Sequence, residues 1–223
     1  MKTSLGPFGV YTGTPVEGFV YGVGDRSLTP REGVRELAEH LGRPLPAFVN
    51  QVHGDAIVTP GEAATDGSSE ADAILLGPGE GGTIRIADCV PVILLNRATG
   101  RGAVIHAGWR GTFARIVTKT VERLGDPGDI QAYIGPAIGG CCYRVSDELA
   151  QDFAARFARG DWLMERADGP YLDLQALNAE MLGAMGVAAI EVEPRCTRES
   201  SDLHSFRRDG AEAGRLVAFL FVG

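Results

Sequence analysis

A chain of 223 residues with 44% hydrophobic residues can bury a substantial core, and we expect a single domain spanning residues 1–223. The formal net charge is −8 and the charges are interspersed, which argues against nucleic acid or an anionic membrane as a partner. The first residues lack the apolar segment of a signal peptide and no run approaches the length of a membrane span, so we expect a cytoplasmic location. The four cysteines, at positions 89, 141, 142 and 196, are scattered, and we expect thiols rather than a disulfide framework.

The predicted elements begin with a strand at 16–21 and a helix that follows Thr29. Thr29, Pro30 and Glu32 have the order of a capping box, and Gly42 ends the apolar repeat. Further helices are predicted after Gly111, with apolar positions from Phe113 to Leu124, and after the caps Ser146 and Asp173. Apolar runs between turns predict strands at 47–52, 71–76, 86–95, 103–106, 130–134, 189–193 and 216–222. Because strands and helices do not alternate strictly, the pattern indicates an α+β fold with mixed β-sheets and flanking helices.

Three residues with metal-binding side chains stand where predicted strands meet turns. His53 follows one strand, Cys89 lies at the start of the run at 86–95, and His106 lies at the end of the next run. Two imidazoles and a thiolate suit Zn²⁺ and leave one tetrahedral position open, as in catalytic sites. The same set also describes a copper centre, but the chain has only four histidines, too few for a multicopper oxidase. The alternative interpretation is two structural histidines and an inert buried thiol.

Polar residues near these positions are candidates for catalysis and substrate binding. Asp88 is either a turn residue or a general base or orienting partner. Trp109 is either a core residue or a flat surface for a base, and Arg110 is either a solvated cation or an anion-binding group. Arg207 and Arg208 either lie in an exposed loop or clamp phosphate or carboxylate together.

The motifs together resemble the YfiH/DUF152 proteins, also called laccase-domain proteins, polyphenol oxidases or peptidoglycan editing factors, with which the human enzyme FAMIN belongs. The resemblance covers the chain from about Asn50 to its end and rests on five ordered motifs: Asn50-Gln-Val-His-Gly54, Ala87-Asp-Cys-Val-Pro91, His106-Ala-Gly-Trp-Arg-Gly111, Ile134-Gly-Pro-Ala-Ile-Gly-Gly-Cys-Cys-Tyr143, and Cys196-Thr197 with Ser205-Phe-Arg-Arg-Asp-Gly210.

The resemblance implies a fold similar to that of bacterial toxin deamidases that use a Cys-His pair. It implies zinc ligands at His53, Cys89 and His106, with Asn50 and Gln51 on the substrate side of the site. The activities implied are phosphorolysis of adenosine, inosine and methylthioadenosine, and deamination of adenosine. Copper-dependent phenol oxidation is an older assignment for the family.

The N-terminal segment departs from the family pattern. Members usually carry an arginine and paired glycines in a segment of the form Phe-Ser-x-Arg-x-Gly-Gly. The nearest counterpart here, Phe8-Gly-Val-Tyr-Thr-Gly13, has no arginine. If that arginine binds phosphate or ribose in the family, its loss argues against phosphorolysis by this chain.

Three hypotheses follow. The first is a zinc-dependent purine nucleoside enzyme, a monomer or homodimer, with a nucleoside and phosphate as its small-molecule partners. The second uses Cys89 as nucleophile and His106 as base, in a hydrolase or an enzyme that edits peptidoglycan precursors. In the third, the metal only stabilises the fold and the protein acts by binding a partner.

Overall fold

The computed structural model describes residues 1–64 and 66–223, and in these ranges the chain forms two large β-sheets. The first sheet is antiparallel, with the strand order β1 (Lys2–Leu5), β2 (Phe8–Tyr11), β3 (Phe19–Gly24), β13 (Leu216–Val222), β6 (Gly81–Ile86). The second sheet is mixed, with the order β12 (Ala189–Val192), β9 (Ile130–Ile134), β7 (Val90–Asn96), β8 (Arg101–Ala107), β5 (Ala73–Leu76), β4 (Ile57–Val58). A separate hairpin pairs β10 (Leu163–Arg166) with β11 (Gly169–Leu172).

The helices are α1 (Glu32–His40), α2 (Trp109–Phe113), α3 (Ile116–Leu124), α4 (Asp147–Arg156), α5 (Leu174–Ala184) and α6 (Phe206–Asp209). Apolar residues of α1 pack on the outer face of the first sheet, and those of α3, α4 and α5 pack on the outer face of the second. Across the described ranges, no helix has the length and apolar character needed to cross a membrane.

Strand β13 shows how the layers share one core. Leu216, Ala218 and Leu220 point into the core between the two sheets, whereas Val217 and Phe219 point toward α1. Both faces of the strand are therefore covered, which explains why its sequence is apolar throughout instead of alternating. Strands β7 and β8 are buried in the same way.

The predicted α+β class with mixed sheets is confirmed, and so are the caps at Ser146 and Asp173. Ser146 accepts a hydrogen bond from the Leu149 amide (3.2 Å), and Asp173 accepts one from the Ala176 amide (2.9 Å). The predicted N-cap at Thr29 is wrong, because α1 begins at Glu32 with Arg31 in the N-cap position. The Thr29 hydroxyl still accepts a hydrogen bond from the Gly33 amide (2.9 Å).

Several predicted elements are wrong because partners distant in the sequence decide them. Segment 47–52 is not a strand: its amides at Ala47 and Asn50 bond to carbonyls of two different segments, so the chain crosses the sheets without joining either ladder. The run at 86–95 is divided, because β6 ends at Ile86 in one sheet and β7 begins at Val90 in the other. The helix predicted from Phe113 to Leu124 begins only at Ile116, because Arg115 adopts the left-handed conformation (φ 61°) and separates it from a short helix at 109–113. At the N-terminus, the predicted strand at 16–21 is shifted, because β3 begins at 19 and continues to 24.

Candidate active site and metal centre

The structure brings His53, Cys89 and His106 into one cluster. Cys89 ends the bend between β6 and β7, and the pairing of Pro91 with His106 sets it beside the end of β8. His53 arrives from the crossing segment in a left-handed conformation (φ 60°). The three potential ligand atoms lie within 4.8 Å of one another, and the two imidazole rings meet edge to face with centroids 4.8 Å apart. We call these three residues the cavity cluster.

Asp72 contacts two residues of the cavity cluster, and the sequence did not predict it as a site residue. It is fully buried at the head of β5, and its Oδ1 accepts the His53 amide (3.0 Å) and lies 2.7 Å from Nδ1 of His106. Its Oδ2 accepts the Gly54 amide (2.7 Å). With Nδ1 directed at a carboxylate, His106 presents Nε2 to the cluster. The signal in the sequence was an acidic residue inside an otherwise apolar run.

Gly108 leaves room for the cluster. A Cβ atom at this position would lie 3.2 Å from the Cys89 sulfur and 3.2 Å from Cδ2 of His53. Any side chain at position 108 would therefore press on two members of the cavity cluster, which gives a physical reason for glycine two residues after His106.

The ionisation of Cys89 and His106 is coupled through their contact. Burial opposes the thiolate, but hydrogen bonds to His106 and His53 outweigh it and lower the pKa of Cys89 to about 7. Burial also opposes the imidazolium, but the hydrogen bonds to Asp72 and Cys89 outweigh it and raise the pKa of His106 to about 9. The cluster thus favours a thiolate, which is the form that both binds metal and acts as a nucleophile.

The cavity cluster opens into a cavity of about 520 Å³, a size suited to a small molecule. Three arginines line it, Arg85, Arg207 and Arg215, and none forms an ion pair with an acidic side chain of the described residues. Tyr143 and Phe206 supply aromatic surface, and the Arg207 guanidinium lies over the Tyr143 ring (5.1 Å to the centroid). The cavity therefore combines side chains that can bind a metal ion, positive charge and aromatic surface.

Asp88 lines the cavity, but its carboxylate is engaged on both sides. Oδ1 accepts the Thr197 hydroxyl and Oδ2 accepts the Arg207 amide, each at 2.6 Å. The residue itself has a positive φ of 88°. These contacts fix the bend that carries Cys89 to the segment that carries Arg207.

The other predicted site residues are divided between the cavity and its surroundings. Gln51 lines the cavity, and its side-chain amide bonds to both backbone groups of Arg85. Asn50 does not line it and forms a backbone bridge to Glu70. Trp109 and Arg110 also lie outside the lining and stack on each other at 4.3 Å.

The predicted clamp of Arg207 with Arg208 is not formed. The Arg208 guanidinium donates to the carbonyls of Thr197, Arg198, Ser200 and Leu203 and pairs with Asp209, which holds the loop before α6 together. Only Arg207 faces the cavity.

Six lining residues were not predicted as site residues: Arg85, Ala87, Ile138, Tyr143, Phe206 and Arg215. Arg85 had a usable signal, because it is the exposed position in the buried strand β6. The N-terminal segment that lacks the family arginine contributes nothing to the lining. Its strand β2 packs Phe8 and Val10 against α1 instead.

Comparison with known proteins defines the class. Residues 16–223 match the family model described as "Multi-copper polyphenol oxidoreductase laccase". The chain is similar to the YlmD structure from Geobacillus stearothermophilus (30% identity, TM-score 0.84, 96% of each chain) and to the DUF152 protein NMB0706 of Neisseria meningitidis (25%, TM-score 0.83, 96% and 98% of the two chains).

Curated relatives agree with this class. A protein of Deinococcus radiodurans named purine nucleoside phosphorylase is 37% identical over 206 residues, covering 88% of this chain and 79% of the relative. "Purine nucleoside phosphorylase YfiH" of Escherichia coli is 36% identical over 182 residues, covering 79% and 74%. The chain belongs to the YfiH/DUF152 laccase-domain family, as its motifs predicted.

The word multi-copper in the family description does not match the donors found in this cavity. Of the four histidines, His53 and His106 lie in the cavity cluster, whereas His40 ends α1 and His204 precedes α6. The cavity cluster offers donors for one ion, too few for the histidine-rich cluster of a multicopper oxidase.

Proposed function

We propose that this chain is a zinc-dependent purine nucleoside phosphorylase that cleaves adenosine, inosine or methylthioadenosine with inorganic phosphate. The observation that carries the proposal is the cavity in which a two-histidine, one-thiol cluster lines the same space as three arginines that have no acidic partner among residues 1–64 and 66–223. The names of the relatives from D. radiodurans and E. coli support the same reaction class. The proposed partners are a nucleoside and phosphate, and the proposed location is the cytoplasm.

The donor set of the cavity cluster fits zinc. Two imidazoles and one thiolate are common zinc ligands, and the three ligand atoms lie within 4.8 Å of one another, close enough to be drawn onto one ion with bonds of about 2.0–2.3 Å. Three protein ligands leave a position that faces the cavity. When bound there, the ion would supply Lewis-acid stabilisation of negative charge.

The side chains that line the cavity favour one place for the phosphate and another for the purine. In phosphorolysis, a phosphate oxygen bonds to C1′ of the ribose while the C1′–N9 bond breaks and its electron pair leaves with the purine. Arg85, Arg207 and Arg215 would hold the phosphate, because an anion gains most from cations that have no acidic partner. The departing purine, which becomes negative, would lie toward the cavity cluster, with Tyr143 and Phe206 as stacking surfaces.

We expect Arg207→Ala to raise the KM for phosphate by about tenfold or more, because a charge-assisted hydrogen bond contributes about 1.5–3 kcal/mol. The KM for the nucleoside should change far less. Steady-state kinetics with phosphate as the varied substrate measures both. Arg110→Ala is the matched control, since Arg110 is exposed and outside the cavity lining. Equal effects of the two substitutions would contradict the assignment of phosphate to the arginine-lined side.

Adenosine deamination is the second activity implied by the family resemblance, and it is tested by identifying the products formed from adenosine with and without phosphate. It would convert adenosine to inosine with or without phosphate, whereas phosphorolysis would release adenine only with phosphate. Asp88 is proposed as a positioning residue in either reaction, since both of its oxygens accept hydrogen bonds.

A Cys89 nucleophile with His106 as base is the alternative function, and it is favoured by the closeness of the thiol to two imidazoles, within 4.8 Å, which lowers the pKa of the thiol to about 7. We expect zinc to protect Cys89 from iodoacetamide and the chelator-treated protein to lose this protection, as followed by peptide mass spectrometry. Rapid alkylation of Cys89 in zinc-loaded, active protein, together with loss of activity, would favour the nucleophile instead.

A further inference from the structure

A second group of metal-binding side chains lies outside the cavity. It consists of Cys141, Cys142, Cys196 and Glu199, whose ligand atoms all lie within 4.8 Å of one another. The two adjacent sulfurs are 3.4 Å apart, and the Cys141 sulfur lies 3.6 Å from Oε2 of Glu199. We call these four residues the thiol cluster.

The spacing of the thiol cluster suits a tetrahedral ion. Zinc–sulfur bonds of about 2.3 Å place two sulfurs roughly 3.8 Å apart. The sulfur–sulfur separation of 3.4 Å is within a few tenths of an ångström of this value. Cys142 and Cys196 are buried, whereas Cys141 and Glu199 are exposed, so an ion has both an enclosed inner side and a path from solvent.

Backbone contacts hold the sulfurs of the thiol cluster in place. A tight turn, in which the amides of Cys142 and Tyr143 donate to the Gly139 carbonyl, presents the two adjacent thiols. The Gly139 amide donates to the Cys196 sulfur (3.4 Å). An amide directed at sulfur is a contact that orients and supports a metal-bound thiolate.

A disulfide accounts for the arrangement less well. All four cysteines are free, and with Cys89 in the cavity cluster three thiols remain. Any disulfide within the group leaves one thiol without a partner and gives Glu199 no role. A metal ion uses all four side chains at once.

We propose that the thiol cluster binds a second zinc-class ion, held by three thiolates and one carboxylate. The site joins the turn at 139–143 to the segment at 196–199. Tyr143 of the turn lines the cavity, and Thr197 of the segment holds Asp88. The ion therefore supports two parts of the cavity wall without touching the substrate.

Metal analysis of variants tests the proposal. We expect wild type to bind two zinc ions per chain, Cys89→Ser one, and Cys141→Ser with an intact Cys89 also one. Because Cys141 and Glu199 are exposed, Cys141→Ser and Glu199→Gln should fold. Each should lower the affinity for the second ion by more than the roughly 10–100-fold loss that is typical when a hydrogen-bond partner of a ligand is removed. Glu122→Gln, an exposed glutamate on α3, is the matched control and should keep both ions.

Cobalt substitution identifies the ligands. Cobalt bound to Cys89→Ser protein should show strong sulfur-to-metal charge-transfer absorption, and Cys196→Ser or Cys141→Ser in that background should weaken it. Chelation should lower the Tm of the Cys89→Ser protein by several degrees. The proposal is overturned if Cys89→Ser holds no ion, or if intact-mass measurement shows two hydrogens lost to a disulfide within the thiol cluster.

Discussion

The substitution Asp72→Asn should weaken zinc binding at the cavity cluster by about 10–100-fold, the loss typical when the outer partner of a ligating histidine is removed. Asp72 is fully buried, and its two oxygens accept hydrogen bonds from backbone amides and contact Nδ1 of His106. Asparagine replaces one of these oxygens with an NH₂ group. In either orientation of the side-chain amide, this NH₂ group faces another hydrogen-bond donor. The imidazole then loses the contact that sets its orientation.

The same substitution should destabilise the fold. A buried donor left without an acceptor costs about 1–3 kcal/mol, which corresponds to a Tm lower by about 2–4 °C per kcal/mol in a chain of this size. Competition with a zinc-binding dye and thermal unfolding of the apo protein measure the two effects separately. Asp55→Asn makes the same chemical change at an exposed site paired with Lys119 and should leave both quantities nearly unchanged. Unchanged zinc affinity in Asp72→Asn would mean that Asp72 does not orient His106.

The second large effect is expected from His106→Ala. The substitution removes one of the three potential metal ligands and the imidazole that contacts the Cys89 thiol, so the cavity ion should be lost. Lewis-acid stabilisation contributes several kcal/mol, and each 1.36 kcal/mol is a factor of ten, so turnover should fall by at least about a hundredfold.

The control is His40→Ala, which removes an exposed histidine at the end of α1. It should retain metal content and turnover. Adding zinc in excess to His106→Ala should not restore activity, whereas it should partly restore the activity of Asp72→Asn, in which all three ligands remain. Full activity of metal-free His106→Ala would contradict a role for the cavity ion in the reaction.

Local signals in the sequence predicted the parts of the fold that depend on neighbouring residues. The caps at Ser146 and Asp173 and the buried strand β13 follow from short-range hydrogen bonding and apolar content, and these predictions were correct. The division of the run at 86–95 could not be predicted, because both halves are apolar. Pairing of β6 with β13, far away in the sequence, decides which sheet each half enters.

The cavity shows the same limit. His53, Cys89 and His106 stood out as metal-binding residue types beside turns. Asp72 matters only through its contacts with His53, 19 positions earlier in the chain, and His106, 34 positions later. Arg207 and Arg208 are indistinguishable in sequence. Successive residues of a helix point about 100° apart, so in α6 one faces the cavity and the other faces the loop carbonyls.

The central claim is that a zinc ion at His53, Cys89 and His106 supports phosphate-dependent cleavage of a purine nucleoside. The most direct measurement is the zinc content of wild type and Cys89→Ala by mass spectrometry, followed on the same samples by chromatography of adenosine, inosine and methylthioadenosine incubated with and without phosphate. We predict one zinc ion fewer in Cys89→Ala and release of the free base by wild type alone, only when phosphate is present. Equal zinc in both proteins, or base release by Cys89→Ala at the wild-type rate, would contradict the claim.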